Sequence, residues 1–453
     1  MSESPIVITR SRRTESPVEL KDFRFTREMI PCYTSNDFIR DYRLSGWEAF
    51  RTEPMPTQKD EAWRRTDLRS FKSDSFHLPG EGAHLDLPAV PKALLQPLVA
   101  DQHGGQMVLM ASGAKVSVSQ DLNAKGVVFC DLKTAERQYP HLVEKILGKI
   151  VNPKEGKFAA LAAALAQTGA LVYVPKNVTL EEPLHSLLWG PGTNLAYISH
   201  LLVYLEEGAS ATYIHEAASP NEASGQTLHA GIVEIYVGPG ARLRFVELQS
   251  WGEHTWNFSH ERVRVDRDGN LDWIFGAIGS HLTKNFSELD LVGIGSTGKM
   301  SGFYFTDGVQ HLDHDTQQNH MAPNTTSDLL FKGALLGESR SVWQGMIYVA
   351  PGAMKTNGYQ ANRNLVLSQK ARADSIPGLE ILADDVRCTH GATVGKIDED
   401  LIFYLRSRGI PKTDAERLIV EGFFDQIMQR IPFEGVRERF QQAIQDKMKD
   451  LQG

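Results

Sequence analysis

The chain has 453 residues, of which 23 % are charged and 41 % hydrophobic, with a net charge of −8 and a pI near 6.0. That is the composition of an ordinary globular protein of two or three domains, and its acidic balance offers no global attraction for nucleic acid or anionic lipid. Three cysteines, Cys32, Cys130 and Cys388, are odd in number and far apart, which argues against a disulfide framework and rules out a metal site built only from a local cysteine run.

The N-terminus carries one short basic cluster, Arg10–Arg13, and no apolar signal core. Ser2, Ser4 and these arginines have the flavour of a transit peptide, but Glu3 and Glu15 oppose it, so a bacterial cytosol is expected. The first region, 1–168, reads as mixed and mostly helical. Asp37 is placed to cap a helix carrying Phe38, Ile39, Tyr42, Leu44, Trp47 and Phe50, weakened by Gly46. Further helices are expected over Tyr139–Ile150 and Lys157–Gln167. The most apolar stretch, Phe158–Val174, is broken by Gln167, Thr168 and Gly169 and is too short to cross a bilayer.

The second region, 169–391, changes texture. Short β-branched or aromatic runs alternate with polar residues: Leu171–Val174, Leu202–Leu205, Ile232–Val237, Phe303–Phe305 and Met346–Val349. Gly208, Gly240, Gly269 and Gly298 follow one another at 32, 29 and 29 residues. The strings Glu206–Ser210, Gly238–Arg242 and Ala350–Met354 look like one turn reused. This period is too short for a propeller blade and favours a β-helix over a sandwich.

The third region, 392–453, turns helical. Asp398 is a natural cap for Glu399–Ser407, and Gly409 sits where a left-handed residue would end that helix. Pro411 and a Thr413-x-x-Glu416 capping box open a second helix, with an apolar stripe of Ala415, Leu418, Ile419, Phe423 and Ile427. A third carries Val436, Phe440, Ile444 and Met448, a narrow stripe that either packs on the preceding helices or stays open for a partner.

Two segments bear chemistry. In Leu379–Ala392, alternation through Glu380, Leu382 and Asp384 reads as a final strand, and Cys388 and His390, two apart, share one side of an extended backbone. A thiolate and an imidazole on one face can hold iron or zinc, with Asp384 and Asp385 orienting the ring from behind. Two ligands do not close a tetrahedral site, so the others must come from elsewhere. The plainer reading is a small buried cysteine and a histidine at a sheet end. The second segment, His311-Leu312-Asp313-His314-Asp315 with His320 beyond, is either a metal-binding string or a hydrogen-bonded ladder on a solenoid. On a strand, His311 and Asp313 would face one way and His314 the other. There is no Walker A sequence, nucleophile elbow or His-Glu-x-x-His helix. Gly293–Gly298 fits Gly-x-Gly-x-x-Gly but runs on into strand-like Gly302–Phe305, not a helix.

Asn364–Ser368, Leu379–Ile381, Asp384–Gly395 and Phe403–Ile410 together resemble the C-terminal signature of the SufB/SufD family of iron–sulfur cluster assembly scaffolds. The Asp-Asp-Val-Arg-Cys-Thr-His-Gly-Ala-Thr form is similar to that of SufD. SufB proteins have a His-Glu-Ala-type string there and an extra cysteine where this chain has Leu405. Glu61–Leu68 resembles an N-terminal SufD motif, and the strings around His311, Asp313, His320, Ser327 and Asn364 also fit. The resemblance covers about Asp60 to Pro432 and is strongest after Gly345.

The resemblance implies a mainly β protein: a right-handed parallel β-helix flanked by N- and C-terminal helical regions. It implies a non-catalytic scaffold that pairs with a SufB-like paralogue through the β-helix. A SufC-like ATPase would be recruited through the C-terminal helices, here at Phe403, Tyr404 and Arg408. His390, with Cys388 beside it, would lie at the paralogue interface and hold a transient iron–sulfur cluster shared between chains. A reduced flavin is associated with such complexes, but no local motif for it is found. Neither nucleic acid nor membrane is expected as a partner. The alternatives are a carbohydrate-active β-helix enzyme using the His311 string, and a purely structural homodimer.

Overall fold

A computed structural model of the chain describes residues 22–80, 87–98, 102–111 and 113–449. The Arg10–Arg13 cluster, Ser2, Ser4, Glu3 and Glu15 lie outside them. In chain order come α1 (Asp37–Thr52), β1 (Gly105–Met110), β2 (Gly113–Val118), α2 (Gln120–Ala124), β3 (Val128–Asp131), α3 (Leu132–Gln138), α4 (Pro140–Ile146) and α5 (Lys157–Leu165). The solenoid follows: β4 (Thr168–Val174), β5 (Leu184–Trp189), β6 (Ala196–Leu205), β7 (Ser210–Ala218), β8 (Thr227–Val237), β9 (Arg242–Ser250), β10 (Thr255–Val265) and β11 (Asn270–Ala277). It continues through β12 (Leu282–Leu291), β13 (Thr297–Thr306), β14 (His311–His320), β15 (Thr326–Leu335), β16 (Arg340–Val349), β17 (Asn357–Val366), β18 (Arg372–Ile381) and β19 (Arg387–Lys396). Helices α6 (Glu399–Ser407), α7 (Lys412–Met428) and α8 (Glu434–Lys449) close the chain.

The chain winds as a parallel β-solenoid of about eight turns flanked by N- and C-terminal helices. Even strands from β4 to β18 build one sheet and odd strands from β5 to β19 the other. At the N-terminal end the stack is finished by antiparallel pairs, β1 with β2 and β3 with β4. The N-terminal region thus contributes strands as well as helices, and the last strand continues to Lys396, past the Gly391 boundary drawn from sequence.

One corner explains the periodic spacing. Asp268, Gly295, Asn324, Lys355 and Asp385, one per coil, have φ of 56°, 76°, 58°, 57° and 53°. Each turns the chain through the left-handed region, which asparagine, aspartate and glycine tolerate best. Gly208 and Gly240, with φ of 68° and 64°, continue the same corner toward the N-terminal end, where Gly208 N donates to Pro239 O and Gly240 N to Arg267 O of the next coil. Gly298, expected in a turn, instead lies within β13, where a Cβ would meet Leu289 Cδ2 at 2.3 Å. The Gly293–Gly298 string is the corner between β12 and β13. A Cβ on Gly293 would fall 1.8 Å from Arg267 N, so coil stacking, not phosphate, demands that glycine.

Three packed layers hold the molecule. Tyr213, Phe245, Trp273, Phe331 and Trp343 fill the solenoid interior. The even sheet's outer face packs on α1 and α5, and the odd sheet's on α7 and α8. Helix α1 is capped by Asn36, whose side chain accepts from Ile39 N at 3.1 Å, so the cap precedes the expected Asp37. Gly46 marks the crossing of α1 with α5, since a Cβ there would lie 2.8 Å from Ala163 Cβ. Asp398 caps α6 through Asp400 N, and Gly409 has φ 86°. Helix α7 starts at Lys412, which puts Thr413 inside the helix, and the expected capping box does not form. Its buried face is Ala415, Val420, Phe424, Ile427 and Met428, rotated from the expected stripe, and Leu418 is exposed. Val436, Phe440, Ile444 and Met448 of α8 are all buried against α7 and the odd sheet, which closes that stripe.

The interior also buries acids. Glu247 and Glu261 project from β9 and β10, and Glu261 accepts from Asn285 Nδ2 at 2.6 Å. Burial raises both carboxyls, and the charge of Glu261 raises Glu247 further. The folded chain therefore retains a proton that the unfolded chain releases near pH 4.3. The corresponding stability is complete below that pH and is lost as pH rises toward the folded value. Glu247→Gln, which mimics the protonated acid, should raise the urea midpoint at pH 8 relative to wild type and flatten its fall between pH 5 and 8.

Candidate functional site

The two ends of the solenoid differ. At the C-terminal end no described strand pairs with the outer edges of β18 and β19. In β16, Ile347 and Val349 point inward and are fully buried. Their register partners in β18, Leu379 and Ile381, are 37 % and 40 % exposed, because no further coil covers them. Val394 of β19, stacked on inward-facing Asn364, is likewise exposed. An uncovered sheet edge with apolar residues beside it is a ready docking surface and an aggregation hazard if left free.

The chemistry-bearing pair lies on this end. The strand expected through Asp384 stops at Ile381; the chain turns at Asp385 and re-enters the other sheet as β19. Cys388 stacks on Gly358 and His390 on Gln360, both inward positions, so the two side chains share the interior-facing side of the last coil. Cys388 is half-buried beside the cluster of Ile347, Val349, Ala350 and Ala353. Burial raises its thiol, and a hydrogen bond from the Gly358 backbone offsets part of that rise. His390 is exposed. Asp384 and Asp385 make no side-chain hydrogen bond to it; the Asp385 carbonyl instead accepts from Lys355 N at 2.8 Å. All three cysteines are free thiols.

The His311 string is split between two faces, as alternation requires. Asp313 faces outward under the N-terminal segment, where Lys284 Nζ donates to it at 2.9 Å and the Thr66 hydroxyl donates to its other oxygen. His314 faces the interior beside Phe275 and Tyr304. Among the described residues, no group of three His, Cys, Asp or Glu side chains is arranged to hold a metal ion.

A second exposed surface lies on α6. Ile402 anchors it inward, while Leu401, Phe403 and Tyr404 are 49 %, 74 % and 52 % exposed. The Arg408 guanidinium sits 4.6 Å from the Tyr404 ring centroid, a cation–π contact that holds the ring upright. No described helix is long and apolar enough to cross a membrane. Gly358, which stacks directly under Cys388, carries no signal in the sequence, because only coil stacking places them together.

Comparison with known proteins identifies the family. Residues 189–423 match the family described as SUF system FeS cluster assembly, SufBD core domain, and residues 20–185 match the SufBD protein N-terminal region. An iron–sulfur cluster assembly SufBD family protein of Staphylococcus haemolyticus is 28 % identical over 423 residues, covering 90 % of this chain and 89 % of that protein. A Staphylococcus aureus (strain MRSA252) protein of the same description matches over the same span with the same identity. With a core match over half its length and an N-terminal match before it, this chain belongs to the SufBD family of iron–sulfur cluster assembly proteins.

Proposed function

We propose that the chain is a SufD-type scaffold subunit that pairs with a SufB-like paralogue across the open end of its solenoid. The observation that carries this is the placement of Cys388 and His390 on the interior-facing side of an uncovered last coil. A facing chain that covers Leu379, Ile381 and Val394 would also meet the thiol and the imidazole. A transient cluster would then be ligated from both sides, which answers the shortage of ligands on this chain. The cluster is cargo here, and flavin, if present in the complex, has no motif on this chain. The free cysteines fit a reducing cytosol.

The exposed surface of α6 is assigned to a SufC-like ATPase. ATP-driven closure of that partner would pull on α6 and open the paralogue interface, so hydrolysis belongs to the partner and this chain acts as a non-enzymatic scaffold. Phe403→Ser should abolish co-purification of the ATPase while shifting stability by no more than about 0.5 kcal/mol, because the ring is exposed. Retained co-purification would move the contact elsewhere. The carbohydrate-enzyme reading loses its external acidic groove, since Asp313 is fully buried beneath the N-terminal segment. The homodimer reading uses the same open end, and mixing the chain with its paralogue separates the two: a heterodimer must displace the homodimer.

A further inference from the structure

We infer that the cleft between the first turn of α5 and the N-terminal segment binds a small zwitterion, an α-amino acid with a compact apolar side chain. The cleft has a volume of about 180 Å³ and is lined by Glu53, Trp63, Gly156, Lys157, Phe158 and His260 together with Asp60 and two prolines. That is room for a molecule of amino-acid size and too little for a nucleotide.

One side of the cleft offers acceptors without donors. His260 comes from β10 into the floor and is 6 % exposed. Its one ring N–H is taken by the Glu155 backbone, and Nδ1 has no hydrogen-bond partner. Burial, with the charges of Arg262 and Lys284, holds the ring down to about 3, so it is neutral and can accept. Glu53, just past the end of α1, has no hydrogen bond or ion pair on its carboxylate among the described residues. The other acids are occupied. Glu155 is held by Arg262 at 2.8 and 2.9 Å, and Asp60 secures the rim by accepting from Thr57 N at 2.7 Å. The Lys157 ammonium is turned away, 3.0 Å from Asp22 and 2.7 Å from Phe50 O. A buried acceptor left without a donor carries a cost that a ligand N–H relieves, so this side calls for an ammonium.

The opposite charge comes from α5. Gly156 stands at its N-cap with φ 137°, so no side chain caps the helix. Lys157 and Phe158, its first two residues, line the cleft. Uncapped N–H groups at the positive end of a helix favour a carboxylate. An ammonium site facing a carboxylate site is the layout of an α-amino acid. Pro54, Pro56 and Trp63 make the remaining wall, which suits a small apolar side chain. Trp63 packs on Phe158 with ring centroids 5.6 Å apart, so an occupant would also brace the Glu61–Leu68 motif against the solenoid.

The test is isothermal titration calorimetry of the full-length chain with L-alanine, L-valine, isobutylammonium and 3-methylbutanoate. The last two are valine without its carboxylate and without its ammonium. L-Valine or L-alanine should bind with a Kd of about 1 mM or tighter, and each single-charge analogue about tenfold more weakly or worse. Glu53→Gln and His260→Phe should each weaken amino-acid binding about tenfold or more. The phenyl ring can keep the 4.7 Å stack on Phe286 while removing the acceptor. Glu53→Gln removes no hydrogen bond or ion pair described in the folded chain, so it decides the matter if His260→Phe fails to fold. No heat with either amino acid would overturn the inference. So would isobutylammonium binding as tightly as L-valine, which reduces the cleft to an acidic surface only, or unchanged affinity in folded Glu53→Gln.

Discussion

Replacing His390 with alanine is expected to lower cluster yield on the reconstituted complex by about an order of magnitude or more, while leaving the complex assembled. The size of the loss follows from ligand arithmetic. This chain offers a thiol and an imidazole at the open end, and a shared four-ligand site loses closure when either goes. The retention of assembly follows from burial. His390 is exposed and lies among the edge contacts, whereas the apolar cover at this end comes from Leu379, Ile381 and Val394. The check is anaerobic iron and sulfide analysis of the variant complex, with its composition read by size-exclusion chromatography. Full cluster yield would remove His390 from the site. A complex that falls apart would instead make the residue an interface contact.

Much of this site could be read from sequence, and the reasons are specific. Alternation placed Cys388 and His390 on one side of a strand, and it separated His311 and Asp313 from His314, because period two is a property of the backbone alone. The helix cap at Asp398 and the terminator Gly409 were local chemistry and were found where expected. Other features depended on partners remote in sequence. Gly46 counts as a helix weakness until α5 is laid against it, where any side chain would collide with Ala163. The left-handed corner migrates among Asp, Gly, Asn and Lys, so a search for glycines found the period but assigned one coil to Gly298 instead of Gly295. The stripe on α7 was misplaced because Phe423 and Phe424 are adjacent, and only the odd sheet decides which one faces inward. Gly358 was invisible as the neighbour of Cys388, because stacking of coils is a tertiary fact.

The largest effect on stability is expected at Lys284. Its ammonium is fully buried, 2.9 Å from Asp313 and 3.8 Å from Asp315, and lies 4.8 Å from the Phe286 ring centroid. Asp313 also accepts from Thr66, and Trp63 of the same N-terminal segment packs on Phe158, Phe258 and Phe286. The Glu61–Leu68 motif is therefore fastened to the solenoid by the Thr66 hydrogen bond to one member of a buried ion pair and by the Trp63 aromatic contacts. Lys284→Met leaves Asp313 charged and unpaired in the interior, which should cost about 3–5 kcal/mol. Removing both charges with Lys284→Met and Asp313→Leu should recover much of that loss, because the larger penalty is the orphaned ion and not the missing attraction. Urea unfolding of the two single variants and the double variant gives the cycle. Limited proteolysis between residues 60 and 80 should be faster in Asp313→Leu than in wild type, because Thr66 loses its acceptor. Additive losses in the double variant would show that Lys284 and Asp313 act independently and that no orphaned-ion penalty is at work.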